Sequence, residues 1–393
     1  MKDIVVIPFH DWRKIQKEGF RTRDAHFIET FANNFDRKIV VVNRPITPLE
    51  IFFAKKNVKI KGEKVLKEGL FSLIKVKQNL FVIDFVSLDI FSFFLKKHGW
   101  YFNKYADETY VRFIEKSLSF LNIKKYDLLS QNIFANQLTS VLRPEKKVFD
   151  AWDNFTKFNV YKKIQIQIQK AYRDYSLSCD FWITNSKENI QFFINEFSVR
   201  QIHLIKNGVD TGRFRAQDEL YIMPKDMIGI PKPIIGFGGK ITHLIDVDLV
   251  NSLLKNNTDK SFVFVGQILN KEIFNRIVKL DNFYYLGDKY YDDYPKYVYN
   301  FNVCIIPYIV DPDKQSGANT IKVYEFLSMN KRVIGTRGNG IEDLGDFVCI
   351  ADDEVAFTQY LKEGIQNDKK LIDINQISWN SKVIELVALY KNC

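Results

Sequence analysis

Asn319-Thr-Ile-Lys-Val-Tyr-Glu-Phe-Leu-Ser-Met-Asn-Lys-Arg-Val-Ile-Gly-Thr336 reads as a short helix running into an apolar strand. Asn319 or Thr320 offers a side-chain oxygen to cap the helix start. Asn330 suits the left-handed residue that ends it, and Val333-Ile334 opens a buried strand. Lys322 and Glu325 stand three residues apart and so share one helix face. A cation near a helix N-terminus can hold a phosphate, because free N–H groups and the helix dipole add to its charge. The plainer reading is an exposed ion pair worth well under about 1 kcal/mol.

The alternation of helix and strand continues in both directions, which predicts an α/β fold with parallel sheets covered by helices on both faces. Strands are expected at Ile4–Ile7, Lys38–Asn43, Leu80–Phe85, Tyr126–Ser130, Lys147–Ala151, Phe181–Asn185 and His203–Ile205. A second series follows at Pro233–Gly238, Ser261–Gly266, Phe283–Leu286, Asn302–Pro307, Arg332–Gly335 and Phe347–Ile350. Helices are expected at Arg23–Asn34, Lys104–Leu121 and Tyr161–Ser178. The interval Asn207–Pro231, with Gly208, Gly212, Pro224, Gly229 and Pro231, reads as a linker. The last segment, Ile377–Tyr390, is an amphipathic helix with Val383, Ile384, Leu386, Val387 and Tyr390 at helical spacing. Two doubly wound domains follow from this order, each with its ligand crevice at the carboxyl ends of its strands.

A chain of 393 residues exceeds one ordinary core, and ~100–200 residues per domain gives two or three. Hydrophobic content of 46% and charged content of 26% are those of a globular protein. Lys2-Asp3 leads straight into Ile4-Val-Val-Ile7, a strand rather than a signal peptide. The four cysteines show no CxxC or Cys/His spacing, so a metal site and a disulfide framework are not expected, and the cytoplasm is the expected compartment. The net charge of +10 favours anionic partners. Residues 55–77 hold eight lysines against two glutamates. No basic recognition helix, RNP-like aromatic motif or zinc-finger spacing occurs, so nucleic acid is not an expected partner. The aromatic and lysine-rich stretch Phe71–Tyr105 has two readings. Phe91-Ser-Phe-Phe-Leu-Lys-Lys-His-Gly-Trp-Tyr-Phe-Asn-Lys104 is either an ordinary core helix with a basic turn, or a peripheral contact with an anionic membrane on the inner face of the cell.

Three further segments carry candidate chemistry. Ile234-Ile-Gly-Phe-Gly238-Gly239-Lys240-Ile-Thr-His243 is a strand entering a glycine turn ahead of a helix at Asp246–Lys255. Glycine allows close backbone approach to a charged ligand, and Lys240 adds a point charge. The spacing is not GxGxxG, so NAD and FAD are not expected and no cofactor is assigned. Lys147-Val-Phe-Asp150-Ala-Trp-Asp153-Asn-Phe155 ends a strand with two acids. A carboxylate shielded by Trp152 and Phe155 has its pKa raised into the range useful for a general base. The structural alternative is that both acids cap the following helix. His26, beside Arg21, Arg23 and Asp24, is a second catalytic candidate, or else a surface histidine at a helix start.

Taken in order, Lys206-Asn-Gly-Val-Asp210 with Phe214, the glycine turn, Phe262-Val-Phe-Val-Gly266, Tyr285-Leu-Gly287, the Asn302–Pro307 strand and Ile321-Lys-Val-Tyr-Glu-Phe-Leu327 resemble the nucleotide-sugar half of GT-B glycosyltransferases, close to family 4. The likeness covers residues 180–393 well and the N-terminal half loosely. The Asp150–Asp153 segment is similar to that of teichuronic-acid and xanthan glucuronosyltransferase-type enzymes. The resemblance implies two Rossmann-like domains facing a central cleft, with a C-terminal helix crossing back to the first. It assigns residues 1–210 to the acceptor, 211–375 to the donor and 376–393 to the returning helix.

The implied activity is metal-independent transfer of a hexosyl or glycuronosyl group. The donor is a nucleoside-diphosphate sugar, UDP-linked by default, and the acceptor a glycan or lipid-linked sugar in cell-surface polysaccharide synthesis. Glu325 is implied as acceptor of the ribose hydroxyls and Lys322 as the cation on the diphosphate. Ser316, Gly317, Ala318, Asn319 and Thr320 would approach phosphate and sugar. Tyr285 would lie beside the base, with Gly238, Gly239 and Lys240 completing the donor site. Asp153 is implied as base, supported by Asp150. Gly317 stands where the family commonly has the first Glu of a Glu-x7-Glu pair. Asp311-Pro-Asp313 spells a metal motif, but its proline and loop position argue against one. Retention is usual in the family, whereas an aspartate base implies inversion. The alternatives are a non-catalytic nucleotide-sugar or glycan-binding subunit and a GT-B sugar-nucleotide epimerase.

Overall fold

The computed structural model describes residues 2–53, 59–216, 221–310, 319–338, 340–364 and 371–392. The chain divides into two compact units, Met1–Lys206 with Lys382–Cys393, and Asn207–Ser381.

The first unit contains β1 (Asp3–Ile7), β2 (Ile39–Val42), β3 (Glu63–Glu68), β4 (Phe71–Lys75), β5 (Leu80–Phe85), β6 (Tyr126–Ser130), β7 (Lys146–Asp150), β8 (Phe181–Thr184) and β9 (Ile202–Leu204). Among the described residues they form one sheet in the order β3-β4-β5-β2-β1-β6-β7-β8-β9. β1 lies at its centre, parallel to β2 through Val5↔Val40 and to β6 through Val5↔Leu128. Ile4, Val5, Val6 and Ile7 are all fully buried. A strand covered on both faces needs a continuous apolar run, not an alternating one.

The second unit contains β10 (Ile234–Gly238), β11 (Ser261–Val265), β12 (Phe283–Tyr285), β13 (Val303–Ile306), β14 (Arg332–Thr336) and β15 (Val348–Ala351). Their order is β12-β11-β10-β13-β14-β15, and every neighbouring pair is parallel. In the second sheet, and among the parallel strands of the first, the strand order reverses once, at β10/β13 and at β1/β6. Such a reversal splays the connections apart and leaves a crevice outside the carboxyl ends of the two strands.

Several elements differ from the sequence expectation. The lysine-rich stretch contains an antiparallel hairpin, β3 on β4, that extends the sheet past β5. Lys64 and Lys67 are exposed on β3, the edge strand, where charge blocks pairing with other chains. The helix expected over Lys104–Leu121 is two, Gly99–Tyr105 and Glu108–Phe120, because Asp107 accepts from the Thr109 and Tyr110 amides and caps a new start. The interval read as a linker is packed into the second unit: Met227 is fully buried, and Asp226 accepts from Tyr297 at 2.9 Å and Lys289 at 2.6 Å. The Phe91 segment is not a core helix, since no residue of Ile90–Lys96 is buried, whereas Trp100, Tyr101 and Phe102 in the next helix are. The last helix, Trp379–Asn392, belongs to the first unit from Lys382 onward, where the Tyr390 hydroxyl donates to the Leu128 carbonyl at 3.1 Å. No helix among the described residues is long and apolar enough to cross a membrane.

Candidate functional site

At the reversal in the second sheet, β10 ends in a corner that only glycine can form. A Cβ at Gly238 would lie 1.6 Å from the Tyr294 hydroxyl oxygen. Gly239 has φ +135°, and a Cβ on it would fall 2.5 Å from the Lys322 Nζ. Gly266, following β11 with φ +147°, would bring a Cβ within 1.9 Å of the Gly239 carbonyl oxygen. The two backbones therefore touch directly, and the Tyr285 hydroxyl at the end of β12 secures them by donating to the Gly266 carbonyl at 2.7 Å.

Lys322 sits over this corner. Its ammonium donates to the Tyr308 hydroxyl and lies 4.6 Å from the Phe237 ring centroid and 4.8 Å from that of Tyr308. Phe237 belongs to β10 and Tyr308 follows β13, so the cation bridges the two strands that define the crevice. Aromatic faces hold a cation by their quadrupole while leaving its remaining N–H donors for an anion. Lys240 follows Gly239, half-buried.

The helix carrying Lys322 spans Ile321–Ser328. Neither expected cap is used: Thr320 stands at the N-cap without a side-chain cap hydrogen bond, and the Asn319 Oδ1 accepts instead from the Asn207 amide at 2.9 Å. The Asn207 side chain donates in turn to the Asn319 carbonyl. The Asn207–Asp210 segment thus braces the start of this helix, a link across 112 positions that no local pattern reveals. Asn330, with φ +54°, ends the helix as expected. The Asn330 amide donates to Leu327 and that of Lys331 to Phe326, both at 3.0 Å.

Lys322 and Glu325 do not pair with each other. Glu325 is buried and accepts from the Tyr291 hydroxyl at 2.7 Å. Burial, then the charge of Glu325 and this hydrogen bond, raise the Tyr291 pKa well above its ordinary value. Phe214 closes the arrangement, its ring 5.6 Å from Tyr291 and 5.9 Å from Tyr294. Ser316, Gly317, Ala318 and the Asp311–Asp313 motif lie outside the described residues.

In the first sheet, the acids after β7 are engaged. Asp150 is fully buried and takes a forked pair from Arg23 at 2.8 and 3.1 Å, with a further bond from Gln131 at 2.8 Å. That carboxylate is committed to holding the Arg23–Asn34 helix against the sheet. Asp153 is 5% exposed, with its Oδ1 accepting the Asn154 amide at 3.2 Å. Trp152 and Phe155 flank it, their rings 5.3 Å apart. His26 is 2% exposed, which corrects the reading of a surface histidine. Arg21 pairs with Glu18 at 3.2 Å and Asp24 with His10 at 3.0 Å.

The last pair was not anticipated from the sequence. His10 follows β1 directly at the first reversal, and its side chain is 16% exposed against 2% for Asp24. Asp24 accepts from the His10 ring Nδ1 at 3.0 Å, the His10 amide at 2.9 Å and the Thr22 hydroxyl at 2.5 Å. Burial alone would raise the Asp24 carboxyl; the charge and hydrogen bonds of His10, with that of Thr22, outweigh it and hold the carboxyl well below the usual carboxylate range. In the neutral ring, a carboxylate on Nδ1 fixes the proton there and leaves the Nε2 lone pair for chemistry. The only sequence signal was position, a histidine just beyond the strand-ending Pro8.

No protein-family model and no curated protein matches the chain. Solved structures do match in fold. Trehalose-6-phosphate synthase OtsA aligns with a TM-score of 0.68 at 9% identity, over 100% of this chain and 99% of that one. The catalytic domain of starch synthase IV from Arabidopsis thaliana, bound to ADP and acarbose, aligns at 0.66 and 12% over 100% and 99%. HepE of Anabaena, in complex with UDP, aligns at 0.63 and 12% over 100% of both chains. At such identities the likeness shows the fold, the pair of Rossmann-like domains termed GT-B.

Proposed function

We propose that this chain is a glycosyltransferase that moves a sugar from a nucleoside-diphosphate sugar to a glycan or lipid-linked acceptor. The observation that carries the reading is the Lys322 ammonium poised over the Gly238-Gly239 corner at the β10/β13 reversal. The sequence order implies family 4, near the teichuronic-acid and xanthan glucuronosyltransferase-like branch. UDP is the assigned nucleotide from that resemblance, and the HepE complex with UDP supports it. Polysaccharide synthesis at the cytoplasmic side of the cell membrane is the assigned setting.

In this reading the diphosphate lies against the glycine corner and the uncapped helix start. Breaking the bond between the sugar anomeric carbon and the phosphate oxygen leaves negative charge on the diphosphate. Lys322, Lys240 and backbone N–H groups stabilise that charge without a metal, as an oxyanion hole does. Ser316, Gly317, Ala318, Asn319 and Thr320 take the phosphates and sugar, and Tyr285 flanks the base. Glu325 accepts the ribose hydroxyls alongside Tyr291. On the acceptor side His10 is the base that the geometry favours, with Asp24 as its positioning residue. Asp153 is the competing base. Asp150 and His26 act as framework.

Incubation with a panel of nucleotide sugars, reading nucleoside-diphosphate release with and without acceptor glycans, tests the reading. The expected result is release from one donor, stimulated by acceptor. Donor binding without turnover would instead make the chain a binding subunit, the reading that Gly317 favours, and an isomerised donor would make it an epimerase. His10→Ala is expected to lower turnover by ~10²–10⁴-fold, the usual worth of a general base. Retained turnover in His10→Ala with loss in Asp153→Asn would transfer the role to Asp153.

A further inference from the structure

Two stretches of the first unit contain no acidic residue, Ile90–Ala106 and Asn154–Arg173, and the fold sets them side by side. The His98 ring meets Tyr161 edge-on at 5.1 Å. Gly99 lies so close to the second stretch that a Cβ on it would come 3.3 Å from Gln167 and 3.7 Å from Ile164. Phe93 turns inward, edge-on to Trp100 at 5.3 Å. Its neighbours turn outward: Phe91, Phe94 and Leu95 are 77%, 64% and 69% exposed, and Val160 and Ile166 across the junction are 59% and 82% exposed. Lys96, Lys97, Lys162 and Lys163 are exposed among them. Asp89, the residue before the first stretch, is held by Lys104 at 3.0 Å, and Glu50, which accepts from Tyr101, is held by Arg44 at 3.2 Å.

Single exposed apolar residues need no explanation, but a cluster of this kind marks an interaction surface. The charge pattern selects the occupant. A second copy of the chain would bring lysines onto lysines, because a two-fold contact presents the same patch from both sides. Exposed rings among lysines with no acid between them suit a surface that is apolar beneath and anionic above. We propose that this face docks the protein onto an anionic lipid bilayer, with Phe91, Phe94, Leu95 and Ile166 at the acyl–headgroup boundary and the four lysines on lipid phosphates. The proposal does not rest on the transferase reading and holds for any activity of the second unit.

Flotation of the intact chain with phosphatidylcholine vesicles, with and without phosphatidylglycerol, tests it. Co-flotation is expected only with phosphatidylglycerol and is expected to weaken as salt is added. Lys96→Glu with Lys97→Glu is expected to lower the partition coefficient by at least about tenfold, since each lysine near an anionic surface contributes roughly fivefold. Phe91→Ser with Phe94→Ser is expected to lower it by a similar factor. These positions are exposed, so circular dichroism and thermal melting should match the wild type and separate lost docking from lost folding. No co-flotation, equal binding to neutral vesicles, or wild-type binding by both variants overturns the proposal. A concentration-dependent dimer abolished by the same substitutions, without vesicle binding, overturns it in favour of self-association. No nucleotide enters the assay, so its outcome is independent of donor chemistry.

Discussion

Lys322 has partners but no counter-ion among the described residues: a tyrosine hydroxyl and two aromatic faces, in a half-buried position. Hydrogen bonds to a charged group are worth about 1.5–3 kcal/mol, so Lys322→Ala should weaken nucleoside-diphosphate binding by roughly 10- to 100-fold. Calorimetric titration with UDP measures this, and unchanged affinity would remove Lys322 from the proposed phosphate site. Tyr308→Phe keeps the ring and removes the hydroxyl that orients the ammonium; its expected effect is a few-fold loss. The His10–Asp24 pair gives a prediction in pH. The Asp24 carboxyl is held below its ordinary value, so the folded state favours its ionised form. Its contribution to stability is complete above the ordinary aspartate range, near pH ~4, and is lost as pH falls through the lower folded-state value. Urea midpoints of the wild type should therefore fall more steeply below pH ~4 than those of Asp24→Asn, which has no carboxylate to protonate. Parallel slopes would mean that the pair contributes nothing to folding.

Among the elements, the glycine corner is where packing and site coincide. Gly238→Ala forces a methyl group against the Tyr294 hydroxyl, and overpacking of this kind costs about 1–3 kcal/mol. That hydroxyl is buried with no hydrogen-bond partner among the described residues, so Tyr294→Phe alone should be neutral or stabilising. It should rescue Gly238→Ala only in part, because the ring Cζ would still lie 2.6 Å from the new Cβ. Full rescue, or no loss at all, in urea unfolding would show that the corner relaxes freely. Asn207→Ala strips a buried carbonyl at the helix start of its donor, at a cost of about 1–3 kcal/mol.

The same elements show what a sequence reveals. Ile4–Ile7 was readable because a strand buried on both faces is a continuous apolar run. Leu80–Phe85 and Tyr126–Ser130 were readable because each is a short, mainly apolar run, despite Asp84, Asp127 and Ser130 within them. The β3–β4 hairpin was not, since its edge strand is built of exposed lysine and glutamate, and its turn is a lone Gly69 with φ +52°. The corner glycines and Lys322 were legible as local motifs. The Asn207–Asn319 brace, the Tyr291–Glu325 bond and the His10–Asp24 pair were not, because each is a tertiary coincidence of two ordinary polar residues. The Asp150–Asp153 segment sits at a strand end as read, but its residues gave no sign that Arg23 would claim Asp150.

At the scale of the whole molecule the chain passes between the units twice, after Lys206 and after Ser381. The second crossing makes the last helix part of the first unit's fold. Val383 and Leu386 are fully buried, and Tyr390 bonds to the Leu128 carbonyl beside Phe181, whose ring lies 5.8 Å away. Burial of a Val or Leu side chain is worth about 1.5–3 kcal/mol, so Leu386→Asp should cost the first unit at least that, with the added penalty of an unpaired charge. The tryptophans make this measurable unit by unit, because Trp12, Trp100, Trp152 and Trp182 belong to the first unit and Trp379 alone to the second. The urea transition followed by tryptophan emission should shift to lower denaturant in Leu386→Asp. UDP affinity, measured without denaturant, should stay at the wild-type value if the proposed site on the second unit is correct. Loss of UDP binding together with the emission shift would mean that the second unit depends on the last helix as well. An unmoved emission transition would mean that the helix only rests on a first unit that is already complete.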